Sequence, residues 1–160
     1  MKTVLIIVVT LIVITVFSLA LFIFVRHWKI QNSDLQRAFL VAVVPSVPPD
    51  GFYRGSVEGF AVATWKGKGF SSATQTGINE FSEGTASIQK YAFKTYVTKS
   101  VVDPTKEVLR IDYSSSDNPW WVRAVVDEIV EVKPGEYLGK VCLRPFPQVS
   151  VALAFFRLSK

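Results

Sequence analysis

Residues 124–144 read AVVDEIVEVKPGEYLGKVCLR, and this stretch decides the fold. Pro134 presets its φ and Gly135 accepts the positive φ of a type II turn, so Lys133-Pro134-Gly135-Glu136 reads as a hairpin tip. That tip sets Val132 opposite Tyr137, Val130 opposite Gly139, Glu128 opposite Val141 and Val126 opposite Leu143. This face is apolar except for Glu128. The other face sets Lys133 against Glu136 and Ile129 against Lys140. Asp127 lies diagonal to Arg144 and Glu131 diagonal to Lys140, so opposite charges meet there.

Outward from the hairpin, short runs with period-two alternation are separated by Gly, Pro, Ser and Asp clusters. Strands are expected near 57–66, 69–75, 87–98, 107–113, 124–132, 136–144 and 149–158. The connections are short, which implies antiparallel neighbours. Leu109, Ile111 and Tyr113 read as inward, with Arg110 and Asp112 outward. Tyr91, Phe93, Thr95 and Val97 share one face of a long strand. Val149, Val151, Leu153 and Phe155 share one face of the last. The first strand offers a mostly small face, Gly59, Ala61, Ala63 and Trp65. Seven such strands bury their apolar side only by rolling up, so residues 51–160 are expected to form a small antiparallel barrel or half-barrel.

The amino end is different. Residues 3–25 read TVLIIVVTLIVITVFSLALFIFV, without charge, Gly or Pro. As a helix this run reaches about 35 Å, enough for a hydrocarbon core of about 30 Å. Arg26-His27-Trp28-Lys29 supplies basic and aromatic interfacial anchors. A cleaved signal peptide is the rival, with Ser18-Leu19-Ala20 as a small-x-small site, but the apolar run continues past it for five residues. Residues 1–30 are therefore read as a single-pass transmembrane anchor. The positive-inside bias leans toward a cytoplasmic domain, while a short Met-Lys head also suits an anchor with its amino end inside. The side stays open. Residues 31–50 form a linker: Ser33 or Asp34 caps a short helix through Val43 or Val44, and Pro45, Pro48 and Pro49 end it.

Composition narrows the function. The chain of 160 residues has 18 Lys+Arg and 13 Asp+Glu. Setting aside Lys2, Arg26 and Lys29 at the anchor leaves 15 basic against 13 acidic residues, interspersed. That is not the basic stripe of a nucleic-acid binder. One cysteine, Cys142, allows no internal disulfide and no CxxC site. The one histidine, His27, lies beside the anchor, so neither a His-ligated metal or haem nor a His-activated nucleophile is expected in the domain. No cofactor motif is present.

Three motifs remain. Trp65-Lys66-Gly67-Lys68-Gly69-Phe70 fails as a phosphate loop and reads as a strand–turn–strand link. Asn118-Pro119-Trp120-Trp121 reads either as an aromatic lid over an opening or as a turn whose rings cover the core. Asn79, in Gly77-Ile78-Asn79-Glu80-Phe81, reads as a loop residue. Of the neighbours Asp127 and Glu128 only Glu128 faces inward in the register above. It is either a polar anchor or acid for a ligand, or a satisfied core carboxylate.

The series Trp65-x-Gly67-Lys68-x-Phe70, Leu109-Arg110-Ile111-Asp112-Tyr113, Asn118-Pro119, Asp127-Glu128, Tyr137-Leu138-Gly139-Lys140 and Phe155-Phe156-Arg157-Leu158 resembles lipocalin-like (calycin-type) domains. It is distantly similar to GXWXG-type domains. Ala63-Thr64-Trp65 departs from the Gly-x-Trp of lipocalins. The resemblance implies a barrel and an apolar ligand, and no reaction.

The expected protein is a membrane-tethered, non-catalytic barrel that binds a hydrophobic small molecule or lipid. The small residues Gly59, Ala61, Ala63 and Gly139 would leave room, and Glu128, Tyr91, Tyr113, Tyr137 and Trp65 would line the cavity. The alternatives are a solid barrel serving as an accessory subunit of a membrane complex, and an enzyme with Glu128 as its acid or base.

Overall fold

The structure, a computed structural model, describes every residue except Phe60, Ala61, Ala63 and Pro147. Two helices come first, α1 (Lys2–Gln31) and α2 (Asp34–Val41). Then follow β1 (Gly51–Val57), β2 (Trp65–Ser71), β3 (Thr76–Glu83), β4 (Ala86–Lys99), β5 (Glu107–Asp112), β6 (Val125–Lys133), β7 (Glu136–Phe146) and β8 (Val149–Ser159). Each strand pairs antiparallel with the next, and β8 returns to β1, so the sheet closes into a barrel without edges. The mainly β architecture behind an apolar helix is as expected, with eight strands in place of seven.

The differences lie in the strands that carry polar or glycine residues. The strand expected near 57–66 begins and ends earlier, as β1. Gly59 sits in the following turn with φ +86°, and Ala61 and Ala63 lie outside the described residues. The segment read as a Gly-flanked link is a single strand, β2. Gly77-Ile78-Asn79-Glu80-Phe81 is the body of β3, not a loop.

The deciding hairpin forms with its expected tip, Lys133 facing Glu136, but the next pair is Glu131 with Tyr137. Val132 is an extra residue, a β-bulge, and it shifts β6 by one. Glu128 therefore faces Lys140, and Asp127 faces Val141. A one-residue slip turns every side chain over. Val125, Asp127 and Ile129 point into the barrel, and Val126, Glu128 and Val130 point out. The bulge has a partner: Glu131 N–H donates to Val43 O at 2.7 Å, and Val43 N–H donates back at 3.4 Å. β8 is bulged in the same way at Leu153, which sets Ala154, Phe156 and Leu158 inward and Phe155 outward.

Two cores result. Inside the barrel Tyr53, Phe70, Phe93, Tyr113, Tyr137 and Phe156 pack with Leu109, Ile111, Ile129 and Leu158. On its outer face Val108, Val130, Leu138, Ala152 and Phe155 are covered by Ile30 of α1 and Phe39 of α2. Ser33 caps α2, accepting the Gln36 N–H at 3.1 Å.

α1 is long and apolar enough to cross a membrane by length and composition. Its last two turns dock on β8 through a stripe at helical spacing, Ile23, Arg26, His27 and Ile30, all at least partly buried. The β8 bulge supplies the polar contacts. Arg26 Nε donates to Leu153 O at 2.8 Å, and Ala152 N–H donates to His27 Nδ1 at 3.0 Å. Gln31 then reaches Asp103 in the β4–β5 connection, at 3.3 Å.

Candidate functional site

The barrel interior is filled unevenly. Toward the β2–β3, β4–β5 and β6–β7 turns an edge-to-face series plugs it: Tyr137 on Tyr53 (5.2 Å), Tyr53 on Phe70 (5.7 Å), Phe70 on Phe93 (5.4 Å) and Phe93 on Tyr113 (5.6 Å). Toward the opposite end, where β1–β2, β3–β4, β5–β6 and β7–β8 connect, there is a cavity of about 230 Å³. Its walls are Val57, Val125, Val141 and Phe156. Its mouth is framed by Val62, Phe81, Tyr91 and Trp121. Tyr91 stacks edge-on with Phe81 (5.8 Å) and Trp121 (5.6 Å), and its backbone is left-handed, φ +60°.

The floor of the cavity is polar. Lys68, Asn79, Tyr113 and Asp127 line it, and all four are buried. Lys68 Nζ donates to Asn79 Oδ1 at 2.8 Å and to the Tyr113 hydroxyl, and lies 2.8 Å from Asp127 Oδ2. Tyr113 OH donates to Asp127 Oδ2 at 2.8 Å. Trp65 Nε1–H donates to Asn79 Oδ1 at 3.2 Å, and Asn79 Nδ2 donates to Tyr91 O and Tyr113 OH. Four rings, those of Trp65, Phe93, Tyr113 and Phe156, surround the ammonium at 5.2–5.4 Å. Burial pushes the Lys68 pKa down, and the Asp127 charge opposes that. Burial and then the Asp127 charge hold the Tyr113 phenol well above its ordinary range, so it stays a donor. Two hydrogen bonds, the adjacent Asp127 carboxylate and four rings hold the Lys68 amine in place.

The backbone explains why these residues meet. Trp65 and Lys68 are three apart and would point to opposite faces of a regular strand. A bulge between Trp65 and Gly67 turns both inward. Gly67 takes φ +148°, and a Cβ there would lie 2.0 Å from Tyr53 O.

Of the residues expected in the cavity, Trp65, Tyr91 and Tyr113 line it. Tyr137 belongs to the ring plug at the other end. Glu128 lies on the outside of β6, fully buried beneath the β4–β5 connection, because the Val132 bulge turns it over. Its Oε2 accepts from Ser100 Oγ and its Oε1 from Val101 N–H, each at 2.6 Å, with Arg110 at 3.7 Å. Glu128 is thus the satisfied carboxylate, and the enzymatic reading built on it loses its site. Gly139 leaves no room for a ligand either, since a Cβ there would lie 2.1 Å from the ring of Phe156. Sequence reading missed Lys68, Asn79 and Asp127. The signal for Asp127 was the charge next to Glu128. For Lys68 it was the alternation of Gly67, Lys68, Gly69 and Phe70 as a strand.

The mouth is apolar outside as well. Trp120 is 79% exposed and Trp121 50%, and Phe146 and Val149 at the β7–β8 connection are also exposed. The contacts of α1 run from β8 at Arg26 and His27 to Asp103 at the plugged end. The apolar part of α1 therefore leaves the barrel on the mouth side. Comparison of the chain with family models, curated proteins and solved structures gives no match.

Proposed function

We propose that this protein is a membrane-tethered, non-catalytic binding module that holds the polar end of a hydrophobic ligand or lipid in the open half of its barrel. The observation that carries the reading is the cavity itself, with apolar walls, a buried polar floor, and a mouth on the side from which α1 departs. Eight strands enclose just enough space for side chains or one small ligand. Here half the space is filled and half is open. At about 230 Å³ the cavity is smaller than the roughly 300–1,000 Å³ of drug-sized sites, so it suits a head and the first part of a chain, the rest passing through the mouth. With residues 3–25 in a bilayer, Trp120, Trp121 and Phe146 meet the headgroup region, where aromatic rings are favoured.

Two measurements test this. Native mass spectrometry of the detergent-extracted full chain should show a small apolar adduct, lost in Val141→Phe, which fills the wall. A fluorophore on Trp120→Cys should be quenched by brominated lipid in vesicles, and one on Pro134→Cys should not. A stoichiometric protein partner with no adduct would favour the accessory-subunit reading instead.

A further inference from the structure

The donors and acceptors in the cavity floor can be counted. Lys68 Nζ donates to Asn79 Oδ1 and Tyr113 OH and lies 2.8 Å from Asp127 Oδ2 as an ion pair. Tyr113 OH gives its proton to Asp127 Oδ2 and receives from Lys68 and Asn79. Asn79 uses both its oxygen and its NH₂ group. Asp127 Oδ2 accepts from Tyr113 OH and faces the Lys68 amine. Asp127 Oδ1 accepts nothing, although the residue is only 4% exposed and lines the cavity. Buried polar atoms are normally paired, and one that is not requires an explanation.

We infer that the ligand is an uncharged amphiphile with a hydroxyl group at the end of an apolar body, and that this hydroxyl donates to Asp127 Oδ1, an atom shielded in this structure and brought to the cavity by a small turn of the carboxylate. The inference rests on the ligand-binding reading above and specifies its chemistry. Lys68 and Asp127 cancel in charge, so the floor holds no counter-charge for an ionised head. A carboxylate meets the lone pairs of Oδ1 and the like charge of Asp127. An ammonium head would be placed beside Lys68. An ether or ester offers only acceptors to an acceptor. The apolar walls accept the adjoining hydrocarbon.

The test uses the full chain in nanodiscs and three probes with the same ten-carbon tail: the primary alcohol, its methyl ether and the carboxylate. Binding is read from the emission of Trp65 and Trp121, with Val141→Phe as the control for occupancy of the cavity. The alcohol should bind about ten-fold or more tightly than either analogue, the scale of one hydrogen bond that would otherwise leave a buried group unpaired. Asp127→Asn turns an NH₂ group toward the ligand and should narrow or invert the preference over the ether. Should that variant not fold, the order of the three probes on the natural chain decides the matter alone. Equal affinities, as a water seated on Oδ1 would give, or preference for the carboxylate overturn the inference while leaving the binding reading intact. If no probe binds in a Val141→Phe-sensitive way, the binding reading itself fails.

Discussion

Replacing the Lys68–Asp127 pair with apolar residues should restore the stability that either single replacement removes. Both side chains are almost fully buried and 2.8 Å apart. Lys68→Met leaves the Asp127 carboxylate with the Tyr113 hydroxyl as its one partner in the floor. Asp127→Leu leaves the ammonium between Asn79 and Tyr113 with no negative charge near it. Removing one member of a buried pair costs about 3–5 kcal/mol. A domain of this size is stable by about 5–15 kcal/mol, so each single variant should be severely weakened. Additivity would put the double variant about 6–10 kcal/mol below the natural chain.

The structure argues against additivity. In the double variant Asn79 Oδ1 keeps the Trp65 indole and Tyr113 OH keeps Asn79 Nδ2, so no ion is stranded. Such replacements are commonly neutral or stabilising by about 1–4 kcal/mol. The double variant should therefore lie within about 1 kcal/mol of the natural chain or above it, a coupling of about 5 kcal/mol or more. Denaturant unfolding of the full chain in mild detergent, followed by tryptophan emission, measures this, with unchanged m-values as the check on compactness. A double variant as unstable as the sum of its parts refutes the pairing. The double variant, folded but without the Asp127 carboxylate, should also lose the preference for a hydroxyl probe.

Three further outcomes are expected. Gly139→Ala should destabilise the barrel by about 1–3 kcal/mol, because its Cβ would lie 2.1 Å from the Phe156 ring, and Phe156→Leu should recover much of that loss in the same unfolding assay. Glu128→Ala should cost about 1–3 kcal/mol by leaving the Ser100 hydroxyl and the Val101 N–H without their acceptor, yet leave ligand preference in the folded fraction unchanged, as probe titration would show. Burial raises the Asp103 pKa, but the hydrogen bond and charge of Lys140, then Gln36 and Gln31, outweigh it and hold the carboxyl below its ordinary value. A depressed acid contributes stability that is present above its unfolded value of about 3.9 and lost as pH falls through the folded one. Thermal melts from about pH 6 to about pH 2 should fall steeply for the natural chain and more shallowly for Asp103→Asn.

The sequence displayed the architecture more clearly than the site, for a physical reason. Alternation reports burial only where inward residues are apolar. It found β4 to β8 in outline, the hairpin tip at Pro134 and Gly135, and the apolar α1. It failed where the inward residues are Lys68, Asn79 and Asp127, because each inverts the pattern. Asn79 made β3 resemble a loop, and Lys68 between two glycines made β2 resemble a turn. The hairpin failed differently. Its charges match in the unbulged register, and nothing in residues 131–133 announces that Val132 is extra. The partner that occupies the freed backbone, Val43, lies far away in sequence. The docking of α1 was hidden for the same reason, since it depends on a bulge at Leu153.

The two buried charged groups on either side of β6 bear on function differently. Outside, Glu128 pins the β4–β5 connection through Ser100 and Val101, and Lys140 ties Asp103 to Gln36 of α2. These charges fasten polar loop backbone and a helix to the barrel wall, a task that apolar residues would not perform. Inside, Lys68 and Asp127 fasten nothing of that kind. They sit among rings in a closed sheet whose strands are already paired, and a purely structural barrel would gain by replacing them with leucine or methionine. Their retention at the floor of an open cavity, with one carboxylate oxygen left unpartnered, fits a receptor for a polar head better than it fits a packed core.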